Sequence, residues 1–199
     1  NKSERDQAVN ASPYKDVNYL IFWLAMFFIG FTFMQFFSTL PLYYSQTLKL
    51  EEGVIGLLLA MNGLLIFAFE MPFVNALEKS KLDSLKIVIG GTVLLVLSFL
   101  VLNLGAWVGW AIVGVVLITF GEMFGFPFSN AYALDRSKRG NQGSYMAMYS
   151  MSFSMAHILG PNVGMQFSAK FGFESTWYLM AFICLLACLV LLWLQKKEA

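Results

Sequence analysis

The chain has 199 residues, of which 58% are hydrophobic, 17% aromatic and only 13% charged. Soluble domains are close to half apolar and a quarter charged, so this composition excludes a soluble globule and indicates an integral membrane protein. The net charge of +1 provides no basic surface for phosphates, which argues against a nucleic-acid partner. The two cysteines, Cys184 and Cys188, lie four residues apart in an apolar run and are typical of helix packing rather than of a disulfide scaffold.

Charge-free apolar runs predict six membrane-spanning helices. A run of about 18 or more apolar residues can cross the hydrocarbon core of a bilayer. The longest run, 87–121, exceeds one span and breaks at 103–105, so it predicts two helices. A polar segment, 1–16, precedes a transmembrane domain over 17–195, and a short tail, 196–199, follows it. In chain order, the predicted spans are 18–46, 54–77, 86–103, 107–131, 145–168 and 175–194.

The distribution of Lys and Arg predicts the orientation of these spans, because basic residues concentrate in cytoplasmic loops. Lys49 and Lys170 lie on one side of the predicted membrane, and the other basic residues lie on the side that holds both termini. Both termini are therefore predicted to be cytoplasmic. The residues on that side are Lys2, Arg5, Lys15, Lys79, Lys81, Lys86, Arg136, Lys138, Arg139, Lys196 and Lys197.

Polar and small residues follow one face of spans one, two, four and five, whereas spans three and six are apolar nearly all round. Such a face contacts protein or water, because lipid offers no hydrogen-bond partner. The order polar, polar, apolar occurs twice, which predicts two three-helix repeats of the kind that transporters contain. On the second span the face includes Gly56, Ala60, Gly63 and Glu70; on the fourth it includes Thr119, Glu122, Gly125 and Ser129.

A stretch of the fifth span resembles a known motif. Residues 156–164, Ala-His-Ile-Leu-Gly-Pro-Asn-Val-Gly, are similar to the gxxxGPxxG motif of drug–proton antiporters in the major facilitator superfamily. In that family the motif belongs to the fifth helix of the N-terminal half, and here it stands in the corresponding helix of the other half. The similarity makes Gly160, Pro161 and Gly164 a candidate gating and packing motif.

Three further stretches carry the same resemblance. Residues 77–83 occupy the place of the family's loop signature but lack its Gly and its Arg-Lys pair, while 37–44 and 121–128 look like stretches of bacterial members. The chain thus resembles the C-terminal six-helix half of a bacterial major facilitator superfamily transporter. The resemblance implies half of a twelve-helix fold in the inner (plasma) membrane. It also implies a cytoplasmic linker in 1–16, and a partner that is either an N-terminal six-helix half of the same chain or a second copy.

Two carboxylates within the spans are candidates for proton coupling. A charge at the bilayer centre costs about 2.5–3.5 kcal/mol on insertion scales, so Glu70 and Glu122 each need a reason to be there. Glu122 shares its helix face with polar residues, which favours a functional role. Glu70 precedes Pro72, and a structural alternative is that it bonds backbone groups freed by that proline. The alternative for either residue is a bond to a neighbouring helix.

Uncharged side chains and the single histidine are candidates for a substrate cavity. His157 lies near the middle of its span, where it could bind substrate or carry protons; the alternative is a neutral imidazole hydrogen-bonded across a helix interface. The cavity candidates are Gln35, Thr32, Asn62, His157 and Ser154.

These patterns predict half of a secondary active transporter that moves a small molecule by alternating access, with proton coupling. By the resemblance, the first and fourth spans line the cavity, the second and fifth form its sides, and the third and sixth face lipid. No catalytic residue, metal site or cofactor is predicted, because the sequence has no GxSxG, P-loop, HExxH or Cys/His cluster. Two alternatives stay open: an intramembrane metal-binding protein or enzyme that uses Glu70, Glu122 and His157, and a non-transporting scaffold.

Overall fold

A computed structural model describes residues 12–80 and 82–198, and every regular element in these ranges is helical. Most of the predicted linker, the loop residue Lys81 and the last residue of the tail lie outside the described residues. Two short 3-10 segments, Pro13–Lys15 and Met34–Phe36, accompany the α-helices. The helices are α1 (Val17–Phe33), α2 (Thr39–Gln46), α3 (Glu52–Lys79), α4 (Ser84–Val101), α5 (Val108–Ser137) and α6 (Gln142–Glu198).

Five helical stretches in the described residues are long and apolar enough to cross a membrane, with α1 and α2 counted as one stretch. Together with their composition, this confirms an all-α, multi-pass membrane fold. The last stretch, α6, has 57 residues and is interrupted at Gly172, whose φ of 83° and ψ of 166° suit a residue without a Cβ. The predicted fifth and sixth spans correspond to 142–171 and 173–198. The predicted connection between them is helical except at this glycine.

The predicted first span, 18–46, coincides with one stretch able to cross a membrane, Val17–Gln46, but this stretch is not a continuous α-helix. The α-helical ladder ends at Phe33, a 3-10 turn follows, and α2 begins at Thr39. Pro41 contributes to the break: it has no N–H to donate to the carbonyl of Phe37, so one hydrogen bond of the α-helical pattern is missing at this point. The N–H of Ser38 instead bonds the carbonyl of Gln35 at 3.3 Å, in the tighter 3-10 pattern.

The core lies between α1, α4, α5 and α6. Its largest fully buried side chains include Trp177, Tyr19, Phe22 and Phe99. Helix α1 packs along α6, and α4 packs against both α5 and α6. Helix α4, predicted to face lipid, therefore also buries one face, which carries Leu85, Val88, Thr92, Leu95 and Ser98.

Helix α3 is the least embedded element of the described structure. Only Leu58 and Asn62 are buried among its 28 residues, and it packs mainly against α5. A Cβ placed on Gly56 or Gly63 would meet nothing within 4 Å. The small-residue face predicted for this helix is therefore open in the isolated chain.

Candidate functional site

Asn62 of α3 joins two polar side chains of α5. Its Nδ2 donates to Glu122 Oε2 at 3.0 Å and to Thr119 Oγ1 at 3.1 Å. The Thr119 hydroxyl donates in turn to the carbonyl of Val115 at 2.7 Å. The cavity candidate Asn62 and the coupling candidate Glu122 are thus in direct contact, although 60 residues separate them in the chain.

The two carboxylates predicted for proton coupling line the same cavity. It has a volume of about 540 Å³ and opens between α3, α5 and α6. Neither Glu70 nor Glu122 forms an ion pair with any described residue. The cavity therefore contains two carboxylates with no basic partner among the described residues. The lining residues are Ile66, Glu70, Glu122, Phe126, Pro127, Asn130, Tyr149 and Phe153.

One wall of the cavity is aromatic, and sequence reasoning missed it. Phe153 lies edge-on to both Phe126 and Tyr149, with ring centroids 5.3 and 5.2 Å apart. The hydroxyls of Tyr149 and Ser129 share a hydrogen bond of 2.8 Å, which fixes the tyrosine ring. The available signal was the helical spacing of Tyr149 and Phe153, four residues apart on the predicted fifth span.

Two predicted cavity residues of the first span, Gln35 and Thr32, are fully buried and do not line this cavity. Gln35 Nε2 donates to the carbonyls of Phe31 and Gly160 at 3.1 and 2.9 Å, and its Oε1 accepts from Thr39 at 2.6 Å. All hydrogen-bonding groups of the Gln35 side chain thus have partners. Because these partners lie on α1, α2 and α6, Gln35 links the two sides of the α1–α2 break to α6. Thr32 donates to its own helix and contacts the Cys184 sulfur at 3.0 Å.

The Gly-Pro motif of α6 permits the close approach of α1. A Cβ on Gly164 would lie 1.8 Å from Gln35 Oε1, and a Cβ on Gly160 would lie 2.9 Å from the carbonyl oxygen of Phe31. Both distances are shorter than atoms tolerate, so a Cβ at Gly164 would displace the Gln35 side chain and one at Gly160 would displace backbone of α1. In this structure the motif has a packing role at the α1–α6 interface.

His157 and Ser154 lie on the exposed face of α6, away from the cavity. Ser154 donates to the carbonyl of Ser150 at 3.1 Å, within its own helix. The structure does not gather Glu70, Glu122 and His157, and no group of three or more His, Cys, Asp or Glu residues in its described part could hold a metal ion.

A buried ion network at one end of the bundle is a second feature that sequence reasoning missed. Arg136, for which the sequence explained only an orientation role, has a side chain that is 7% exposed. Its Nε and Nη2 donate to Asp16 at 2.8 and 2.7 Å, and its Nη1 pairs with Glu198. Tyr145 and Tyr132 donate to Asp16 and Glu198, at 3.2 and 3.0 Å. The sequence contained one signal for this network: acidic residues, Asp16 and Glu198, lie immediately before the first predicted span and after the last.

Asp16 also caps α1, because its side chain accepts from the N–H of Tyr19 at 3.1 Å. Burial acts to raise the pKa of Asp16, but the hydrogen bonds from Arg136 and Tyr19 outweigh it, so the pKa lies below its ordinary value. The carboxylate therefore stays ionised at neutral pH and holds the start of α1 to the ends of α5 and α6.

The helices define an integral, multi-pass membrane protein. The sequence model of the Major Facilitator Superfamily matches residues 22–199. The chain therefore belongs to this superfamily, which confirms the resemblance drawn from its motifs.

Three curated relatives are similar to this chain. The uncharacterized MFS-type transporter YqjV of Bacillus subtilis (strain 168) is 28% identical over 153 residues, which cover 75% of this chain and 36% of the relative. The Na(+), Li(+), K(+)/H(+) antiporter of Planococcus maritimus is 22% identical over 194 residues, covering 90% and 45%. The uncharacterized MFS-type transporter YttB of the same Bacillus strain is 24% identical over 147 residues, covering 73% and 35%. The chain thus spans less than half the length of these relatives.

Proposed function

We propose that this chain is the C-terminal half of a proton-coupled secondary transporter that moves a small molecule by alternating access. The observation that carries the proposal is the cavity in which Glu70 and Glu122 lie together with no basic partner among the described residues. Membership of the superfamily supports transport, and the similarity to the Na(+), Li(+), K(+)/H(+) antiporter of Planococcus maritimus supports exchange against protons.

The proposed topology has six spans and both termini in the cytoplasm of a bacterial cell. In each three-helix repeat the first two spans line the cavity or its sides, and the third faces lipid. The network of Asp16, Arg136 and Glu198 supports this topology, because the start of α1 and the ends of α5 and α6 meet at one end of the bundle. Such a meeting requires an even number of crossings between Asp16 and Glu198, as the break at Gly172 allows.

The proposed partner is the N-terminal six-helix half of the same protein, with a second copy of this chain as the alternative. The open face of α3 supports this, because small residues such as Gly56 and Gly63 let helices of two membrane domains approach closely. The share of the relatives that this chain covers, 36% and 45%, leaves room for such a half.

Glu122 is the proposed proton carrier. Its hydrogen bond from Asn62 fixes the carboxyl at the cavity wall, and a charged carboxylate is costly when that wall is dry. A transport cycle that alternately excludes water from the cavity and admits it therefore changes how often Glu122 is protonated. Glu70 has the secondary role of a second negative charge in the same cavity.

The test is solute accumulation in proteoliposomes that hold the full-length transporter under an imposed pH gradient, followed by mass spectrometry over a panel of small molecules. We expect at least one solute to accumulate with the parent protein only when the gradient is present. Glu122→Gln should abolish this accumulation and spare the fold, because the glutamine oxygen still accepts from Asn62. Glu174→Gln, an exposed position outside the cavity, is the matched control and should behave as the parent. Accumulation that is the same with and without the gradient would contradict the proposal, and so would accumulation that Glu122→Gln leaves unchanged.

A further inference from the structure

We infer that an apolar groove between α1 and the last part of α6 binds an acyl chain of an anionic phospholipid, and that Lys197 contacts the phosphate of this lipid. The groove has a volume of about 370 Å³ and shares no lining residue with the cavity that holds Glu70 and Glu122. The proposed transport function assigns no role to this surface. The lining residues are Ile21, Leu24, Leu186, Leu189, Val190 and Trp193.

The groove is formed by one face of each of the two helices. Ile21 and Leu24 lie three residues apart on α1, and the lining positions 186, 189, 190 and 193 of α6 follow the spacing of a single helix face. Leu189 and Trp193 are 53% and 52% exposed, so the face stays accessible although the two helices pack together. Because lipid tails are as apolar as leucine, an acyl chain fits a surface of this composition.

The position of the groove along α6 places it within one leaflet of a bilayer. Residues 186–193 span about 10 Å at a rise of about 1.5 Å per residue, whereas the whole hydrocarbon core is about 30 Å thick. Trp193 lies at the end of the groove nearest the last residues of α6, and tryptophan is enriched at the interface between membrane and water. The groove therefore extends from the interface into the leaflet next to this end of the bundle.

Lys197 supplies a positive charge at the interfacial end of the groove. Its Nζ lies 5.0 Å from the centroid of the Trp193 ring, and it forms no ion pair with any described residue. The neighbouring acid, Glu198, is engaged by Arg136 and Asn18. An available ammonium group beside an apolar groove matches the two parts of an anionic phospholipid, because the phosphate is attracted to the charge and the acyl chain to the groove.

The proposed N-terminal half has a different surface on which to pack. Helix α3, whose open face supports that assembly, contributes no residue to the groove. The groove is therefore assigned to lipid, and coverage by protein is an outcome that the first experiment detects.

The first experiment measures quenching of tryptophan fluorescence by brominated acyl chains in proteoliposomes that hold the full-length transporter. A minor fraction of brominated phosphatidylglycerol or of brominated phosphatidylcholine is included in a phosphatidylcholine bilayer. The difference between the parent and Trp193→Phe gives the contribution of Trp193. We expect the anionic lipid to quench this contribution more strongly at the same mole fraction. Equal quenching by the two lipids would overturn the preference for an anionic lipid, and no quenching by either would show that protein covers the groove and would overturn the whole inference.

The role of Lys197 is tested with a matched pair of lysines. Lys197→Ala should lower the preference for phosphatidylglycerol about fivefold, which is the effect of about one basic residue at an anionic surface. Lys138→Ala removes the same charge just beyond the end of α5, where Lys138 already pairs with Asp135 at 2.8 Å, and should keep the preference of the parent. Equal preferences in the two variants would contradict the role of Lys197.

The groove itself is tested with two adjacent leucines of α6. Leu186 lines the groove and Leu185 does not, and their exposed fractions are similar, 38% and 45%. Leu186→Trp fills the groove and should reduce the amount of phosphatidylglycerol that the purified transporter retains in native mass spectrometry, whereas Leu185→Trp should retain as much as the parent. Thermal unfolding of each variant shows that it is folded. Equal retention in the two variants would overturn the acyl-chain site.

Discussion

The interface between α1 and α6 and the contact between α3 and α5 use their polar residues differently. At the first, every hydrogen-bonding group of the Gln35 side chain has a partner, and glycines at 160 and 164 bring the backbones together. At the second, Asn62 donates to both Thr119 and Glu122, and a cavity with two carboxylates lies beside it.

The comparison indicates which part of the molecule is a scaffold and which part can change. A saturated, closely packed interface resists rearrangement, because any movement leaves polar groups unpaired in an apolar medium. A helix joined to the bundle through few buried residues can move at lower cost. Within the described chain α3 is therefore the less constrained helix, and α1 with α6 forms the most closely packed frame.

The largest effect is expected at the close contact. Gly164→Ala places a Cβ where the side-chain oxygens of Gln35 and Thr39 already lie, so these side chains must shift and their hydrogen bonds across the interface are disturbed. We expect a loss of about 3 kcal/mol in the free energy of unfolding, near the upper end of typical overpacking costs. Thermal or denaturant unfolding in detergent measures it, with Gly90→Ala as control, because a Cβ there meets nothing within 4 Å. Equal stability of the two variants would remove the distinction between scaffold and mobile helix.

An intermediate effect is expected at the ion network, and it depends on pH. Because the pKa of Asp16 is depressed in the folded state, its contribution is fully present above the unfolded value of 3.8 and is lost as the pH falls through the folded value. Asp16→Asn should therefore lower stability by about 2 kcal/mol at neutral pH and by less as the pH falls below 3.8.

The control for this prediction is Asp135→Asn. Asp135 also pairs with a basic residue, Lys138, but both side chains are more than 70% exposed, and exposed pairs contribute little. Unfolding of both variants and the parent at neutral and acidic pH gives the comparison. A penalty for Asp16→Asn that does not diminish in acid would show that the network does not act through the charge of this carboxylate.

The smallest effect on stability is expected at the α3–α5 contact. Asn62→Ala removes two hydrogen bonds at the edge of a cavity and should cost about 1 kcal/mol. Under the proposed function, its effect on proton-coupled flux should be larger than its effect on stability, since Glu122 loses the donor that orients it. Measuring both in the same preparation sharpens the comparison. If Asn62→Ala were as destabilising as Gly164→Ala, the α3–α5 contact would be as rigid as the α1–α6 interface.

Sequence reasoning reached the membrane class, the helices and the superfamily, but it assigned Gln35, Thr32 and Asn62 to one cavity. The three residues have the same polar character and similar spacing on their helices. Their surroundings differ: Gln35 faces Gly160, Thr32 faces Cys184, and Asn62 faces Glu122. Spacing on one helix indicates which residues share a face, but it does not indicate what that face contacts.

Local sequence therefore determined the apolar helices, because a charge-free run must satisfy its backbone within itself to enter a bilayer. The motif around Gly160 also indicated a close contact before the partner was known. Only the tertiary structure decided the pairings, such as Asn62 with Glu122 across 60 residues and Asp16 with Arg136 across 120. The physical reason is that a helix can rotate about its axis without changing its own hydrogen bonds, so its partners are selected by packing with helices far away in the chain.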